Sequence, residues 1–276
     1  MLSVLAYHLF PSAAIGGYLG VDVFFVISGF LITTLLIGEH AKAGGISVPR
    51  FWLRRARRLL PALALVVLAG GTAAAFIGGD VLVRLGSQVV GAATFSSNWV
   101  YIAQGSSYFD EATPELFRTF WSLAVEEQFY LVWPGLLLLL LLLRWQWARV
   151  AVVVLAAAAS AVAMAVLFTP PGDPTRVYYG TDTHSFGLAI GAALALLMSA
   201  RMPGRPLTRA LAPLGALAVG VLVVLVLVMP ADDPFVTRGG LALAALLTAV
   251  AFALGWHLWV GDAHLNAAEE GYLWYG

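Results

Sequence analysis

The chain alternates long apolar runs with short polar breaks. Runs at 18–38, 59–79, 121–143, 147–169, 184–200, 211–229 and 239–260 are each close to the roughly 20 residues that span about 30 Å of hydrocarbon as a helix. Residues 1–10 look like the second half of another helix. Positions 136–143 are an unbroken leucine run, which predicts lipid-facing surface. The stretch 84–104, RLGSQVVGAATFSSNWVYIAQ, is apolar but interrupted by Ser87, Gln88, Thr94, Ser96, Ser97 and Asn98. The pattern predicts an all-α fold, a polytopic transmembrane helix bundle of about eight spans, forming one membrane-embedded domain over 1–276. No repeat or low-complexity tail interrupts it.

The basic residues set a direction for each helix. Segments 39–58, 144–149 and 201–209 hold eleven of the fifteen Lys and Arg residues. Cytoplasmic loops collect such residues, so all three are placed inside. Helix 59–79 then ends outside and helix 121–143 starts there. The stretch 84–104 therefore lies along the outer interface, or dips in and returns.

Composition agrees with lipid as the solvent. Of 276 residues 61% are hydrophobic and 11% charged, against about a quarter charged in soluble domains. A net charge of zero and clustered arginines argue against nucleic acid as a partner. Without cysteine there is no disulfide, thiolate zinc site or thiol nucleophile. The five histidines show no ligand spacing, so no metal site is expected.

Ionisable groups within spans are costly, about 2.5–3.5 kcal/mol for a central Asp or Arg, and usually face a cavity or a partner. His8 falls near the outer end of the first helix and Asp22 opens the next. Glu126 and Glu127 lie a turn and a half into helix 121–143, and Asp182 and His184 stand at the entrance of 184–200. Together they suggest a polar chamber opening outward. Each also has a plainer reading. His8 alone would be a hydrogen-bonded packing residue; Asp22 on the adjacent helix turns it towards a base whose tautomer a carboxylate fixes. Asp22 equally suits a first-turn acid favoured by the helix dipole. Glu126 and Glu127 point about 100° apart, so one of them is expected to brace another helix. Ser28 lacks the G-x-S-x-G setting of a nucleophile and is assigned to close helix packing.

On the inner side, Arg54, Arg55 and Arg58 share a face at i, i+3 and i+4 spacing. The cluster suits a topology anchor on lipid phosphates and equally a phosphate clamp, since the guanidinium fork matches phosphate oxygens. The two are compatible.

The stretches AYHLF, GGYLGVDVFFVISGFLITTLL, ISVPRFWLRRARRLLPAL, FSSNWVYIAQGSSYFD, FWSLAVEEQFYLVWP and TDTHSFGLAIGAALAL together resemble the acyltransferase 3 family of integral-membrane O-acyltransferases. They run in that family's order over residues 1–200. The resemblance implies that His8 is the base for the acceptor hydroxyl and that Asp22 is the acid beside the acceptor pocket. It implies that Arg55 and Arg58, with Arg54 beside them, meet the phosphates of acyl-CoA, and that Glu127 lies in the family's glutamate-rich helix. Acyl-CoA would be a donor co-substrate rather than a bound cofactor. The acceptor would be a carbohydrate or metabolite hydroxyl, and the setting the bacterial plasma membrane. The resemblance also implies an Arg eleven positions before His8, upstream of Met1, and further helices after EEGYLWYG, so a longer chain at both ends is expected. Thr119 stands where the family commonly has His.

Two other functions compete with acyl transfer from acyl-CoA to a surface carbohydrate. A proton-coupled transporter or flippase would use His8 and Asp22 as a relay, but should carry pseudo-repeats of interrupted helices, and none is seen. An inactive truncated remnant would merely insert.

Overall fold

A computed structural model describes residues 2–9, 14–106, 115–200 and 205–269; within these, the side chains of residues 2, 8, 200, 205–210 and 257–269 are not described. The described residues are helical, without strands. In chain order the helices are α1 (Leu2–Leu9), α2 (Gly20–Ala43), α3 (Val48–Ile77), α4 (Leu85–Ala93), α5 (Ser97–Gln104), α6 (Phe120–Leu141), α7 (Gln146–Leu167), α8 (Thr175–Tyr179), α9 (Thr181–His184), α10 (Phe186–Ala200), α11 (Arg205–Val228) and α12 (Leu241–Glu269). Among the described residues, six segments are long and apolar enough to cross a membrane: 17–43, 48–77, 120–141, 146–167, 211–228 and 236–256. The apolar helix α10 is shorter. The chain is thus a multi-pass membrane protein, and the expected count of about eight spans is approximate.

α2 is the central element. Over half of its apolar window is buried, against about a tenth for α3. It packs most extensively against α10, and α10 in turn against α7. Two glycines permit that approach. A Cβ on Gly29 would lie 2.0 Å from the carbonyl oxygen of Leu188, and one on Gly191 2.0 Å from that of Val26. The backbones touch there because neither residue has a side chain.

Some element boundaries differ from those the sequence suggests. The basic segment 39–58 is helix at both ends, with only residues 44–47 forming the turn between α2 and α3. Pro49 sits in the first turn of α3, where its missing N–H costs nothing, so Arg50 to Arg58 ride on that helix. The leucine run is not all lipid-facing: Leu137 and Leu140 are buried while Leu136, Leu139 and Leu142 are exposed. A helix turns 100° per residue, so a run of this length shows both faces. The stretch 84–104 breaks at residues 94–96 into α4 and α5, which pack on each other.

Candidate active site

Two buried polar clusters lie along α2. The first joins α2 to α9, the second joins α2 to α3 and α6. On α2 their anchors, Asp22 and Ser28, are about 9 Å apart at 1.5 Å per residue.

In the first cluster, His184 Nε2 lies 3.0 Å from Asp22 Oδ1, with both side chains fully buried. The other ring nitrogen, Nδ1, is 2.6 Å from the carbonyl oxygen of Tyr178. Aromatic rings enclose the imidazole: Trp121 and Phe186 stack on it with centroids at 5.5 and 5.4 Å, and Phe25 meets it edge-on at 5.7 Å. Asp22 Oδ2 has no protein partner among the described residues. The α8–α9 turn that presents His184 is itself clamped. Asn98 donates to the Tyr179 carbonyl at 3.0 Å and to Thr181 Oγ1 at 2.9 Å. Thr181 donates to Gln128 Oε1 at 2.6 Å, and Gln128 donates to the Phe95 carbonyl at 2.8 Å and to Asn98 Oδ1 at 3.0 Å. Of the polar residues that interrupt 84–104, Asn98 thus braces the α8–α9 turn.

In the second cluster, Arg55 reaches from α3 into the bundle. Its Nε lies 2.8 and 2.9 Å from the two oxygens of Glu127, and its Nη2 is 2.5 Å from Glu127 Oε1. Nη2 also stands 3.6 Å from Glu126 Oε1, and the guanidinium lies 3.6 Å from the centre of the Tyr130 ring. Glu126 accepts from Ser28 and, at 2.7 Å, from the Tyr130 hydroxyl; Ser28 and Tyr130 also touch. Both glutamates therefore meet one cation although they point apart on α6, because the long arginine bridges the angle. A cavity of about 300 Å³ opens beside them, lined by Trp52, Arg55, Thr94, Glu127, Gln128 and Tyr130 among others.

The remaining candidates lie elsewhere. Arg54 pairs with Glu39 at 2.8 Å on the surface, and Arg58 is exposed. Arg54, Arg55 and Arg58 do not act as one face, since Arg55 turns into the bundle. Asp182 is outside both clusters: it pairs with Arg176 at 2.8 Å and is half exposed. That hydrogen-bonded guanidinium holds the Asp182 carboxyl below the usual carboxylate range. His8 lies on α1, and its side chain is outside the described residues. The neighbouring Tyr7 packs edge-on against Tyr18, with centroids 5.8 Å apart, which seats α1 beside the start of α2.

From the sequence Ser28 is assigned to packing, and Asp22 is either the partner of His8 or a first-turn acid. The geometry puts Ser28 on Glu126 and His184 on Asp22, and the His8 side chain lies outside the described residues. Tyr130 was not singled out. Its spacing, four residues after Glu126 on one helix face, was the signal available.

A helical bundle with ionisable pairs buried between α2 and α9 and between α3 and α6 defines a multi-pass membrane protein with polar chemistry inside its bundle. Residues 1–267 match the acyltransferase domain of the acyltransferase 3 family, and the chain belongs to that family. Among its relatives, the peptidoglycan O-acetyltransferase OatA of Listeria monocytogenes is 36% identical over 260 residues, covering 92% of this chain. The Bacillus subtilis protein named "Putative peptidoglycan O-acetyltransferase YrhL" is 40% identical over 265 residues, covering 93% of this chain. The chain spans 42% of the length of each. No solved structure matches it.

Proposed function

We propose that the chain is the membrane-embedded domain of an O-acyltransferase of the bacterial plasma membrane. It passes a short acyl group, such as acetyl, from acyl-CoA on the arginine-rich side to a hydroxyl of a cell-surface carbohydrate on the other. The names of the relatives make peptidoglycan the first acceptor to try. The observation that carries the reading is the pair of buried polar clusters on α2, which sets charged and hydrogen-bonding groups at two depths inside an apolar bundle. Buried charges at this cost generally mark a substrate path.

In this reading the exposed Arg54 and Arg58 meet the donor phosphates. Arg55 stays with Glu127 and shapes the cavity in which the donor's acyl end lies. His8 takes the proton from the acceptor hydroxyl as its oxygen attacks the thioester carbonyl. The tetrahedral oxyanion that forms needs a donor to stabilise it. On collapse the C–S bond breaks, and the thiolate leaves with the proton returned by His8. Asp22 orients the acceptor from the next helix.

The test is transfer of labelled acetyl from acetyl-CoA to peptidoglycan fragments in membranes containing the chain. Wild type should transfer, and His8→Ala should not, while inserting normally. Near-normal transfer by His8→Ala would remove it as the base, and unchanged acetyl-CoA affinity in Arg54→Ala/Arg58→Ala would reduce those arginines to topology anchors.

A further inference from the structure

His184 lies between two acceptors, and that fixes its protons. The Tyr178 carbonyl oxygen cannot donate, so Nδ1, 2.6 Å away, must carry hydrogen. Nε2 then faces Asp22 Oδ1 at 3.0 Å, and a contact of that length needs one proton between the two atoms. Imidazolium with carboxylate and imidazole with carboxylic acid both meet this condition. In either state the pair is neutral as a whole, which suits two side chains fully shut off from solvent, where a lone charge would be prohibitive.

The arrangement has a direction. One carboxyl oxygen of Asp22 is held by His184, while Oδ2 is buried without a partner among the described residues. His184 itself is held in place: Trp121 and Phe186 stack on its ring, Phe25 meets it edge-on, and the Asn98–Gln128–Thr181 network pins its turn. Gly29 and Gly191 hold α2 against α10 just below. Resting on the acyl-transfer reading, we infer that His184 is the positioning residue for Asp22. It supplies one hydrogen bond that both neutralises the carboxyl and turns Oδ2 towards the acceptor hydroxyl as a free hydrogen-bond acceptor.

The test is a double-mutant cycle on acetyl transfer, with insertion and thermal unfolding followed in the same samples. His184→Phe keeps an aromatic ring in the cage but cannot bond Asp22; His184→Gln replaces the lost donor near the Nε2 position. Asp22→Asn can still bond the ring, donating its amide hydrogen to Nε2. The expected results are a kcat about tenfold or more lower in His184→Phe, with acetyl-CoA KM unchanged, and partial recovery in His184→Gln. Asp22→Asn/His184→Phe should transfer no more slowly than Asp22→Asn alone, because His184 acts only through Asp22. Multiplying losses in the double variant, or full kcat in a folded His184→Phe, would overturn the assignment. If His184→Phe does not insert, the comparison of Asp22→Asn with Asp22→Asn/His184→Gln carries the same decision. No transfer by wild type would instead remove the acyl-transfer reading, and this assignment with it.

Discussion

Arg55 ties α3 to α6 through charge, which makes it the residue whose loss should be felt most. It has two carboxylates and an aromatic ring as partners, and Glu127 is largely buried. Arg55→Ala would leave Glu127 buried without a counter-charge, at a cost of about 3–5 kcal/mol. Arg55→Met with Glu127→Met should recover most of that, because an apolar pair of similar volume has no charge to strand. Thermal unfolding in detergent micelles would check both. Asp182 makes the opposite case. Its partner Arg176 is about as exposed as it is, so Asp182→Asn should cost less than about 1 kcal/mol. Because the folded carboxyl is held below its ordinary value, what the pair contributes is complete above that ordinary value, about pH 3.9. It is lost only as pH falls through the depressed one. The effect of Asp182→Asn on unfolding should therefore be the same at pH 7 and pH 5. An effect that shrank between those values would contradict the assignment. The sequence alone groups Asp182 with the buried glutamates, because it stands at the entrance of the apolar run 184–200 while its partner Arg176 lies six residues earlier in a polar loop.

At the level of elements, the helix pattern was legible and the pairings were not. Length and apolar content placed the seven main helices, since each must satisfy its backbone internally within lipid. Charge located the α2–α3 turn but not its bounds, because arginines at a helix start and arginines in a loop look alike in composition. The partnership of Asp22 with His184 joins positions 162 residues apart, and nothing local to either residue specifies it. The glycines of VISGF and AIGAA carry more information, since they mark where α2 and α10 touch. Gly191→Val should push these helices apart by placing a side chain against the Val26 carbonyl, destabilising the protein by about 1–3 kcal/mol or more and loosening the Asp22–His184 contact. Gly38→Ala, on the same α2 but with open space around it, should be neutral or stabilising by about 0.5–1 kcal/mol. Thermal unfolding of the two variants side by side would separate packing from helix propensity. Equal losses would show that Gly191 is not a contact point.

Across the whole molecule, the arginine-rich end and the Asp22–His184 pair lie at opposite ends of α2, with the Arg55–Glu127 cluster between them. That order underlies the central claim, that the acyl donor is met on one face of the membrane and the acceptor on the other. Sidedness tests it most directly. Acetyl-CoA, which does not cross lipid, would be supplied to sealed vesicles carrying the chain in a single known orientation, with peptidoglycan fragments in the opposite compartment. Acetylated fragments should form only when acetyl-CoA is on the side of Arg54 and Arg58. Equal transfer with acetyl-CoA on the side of Asp22 and His184 would contradict the account.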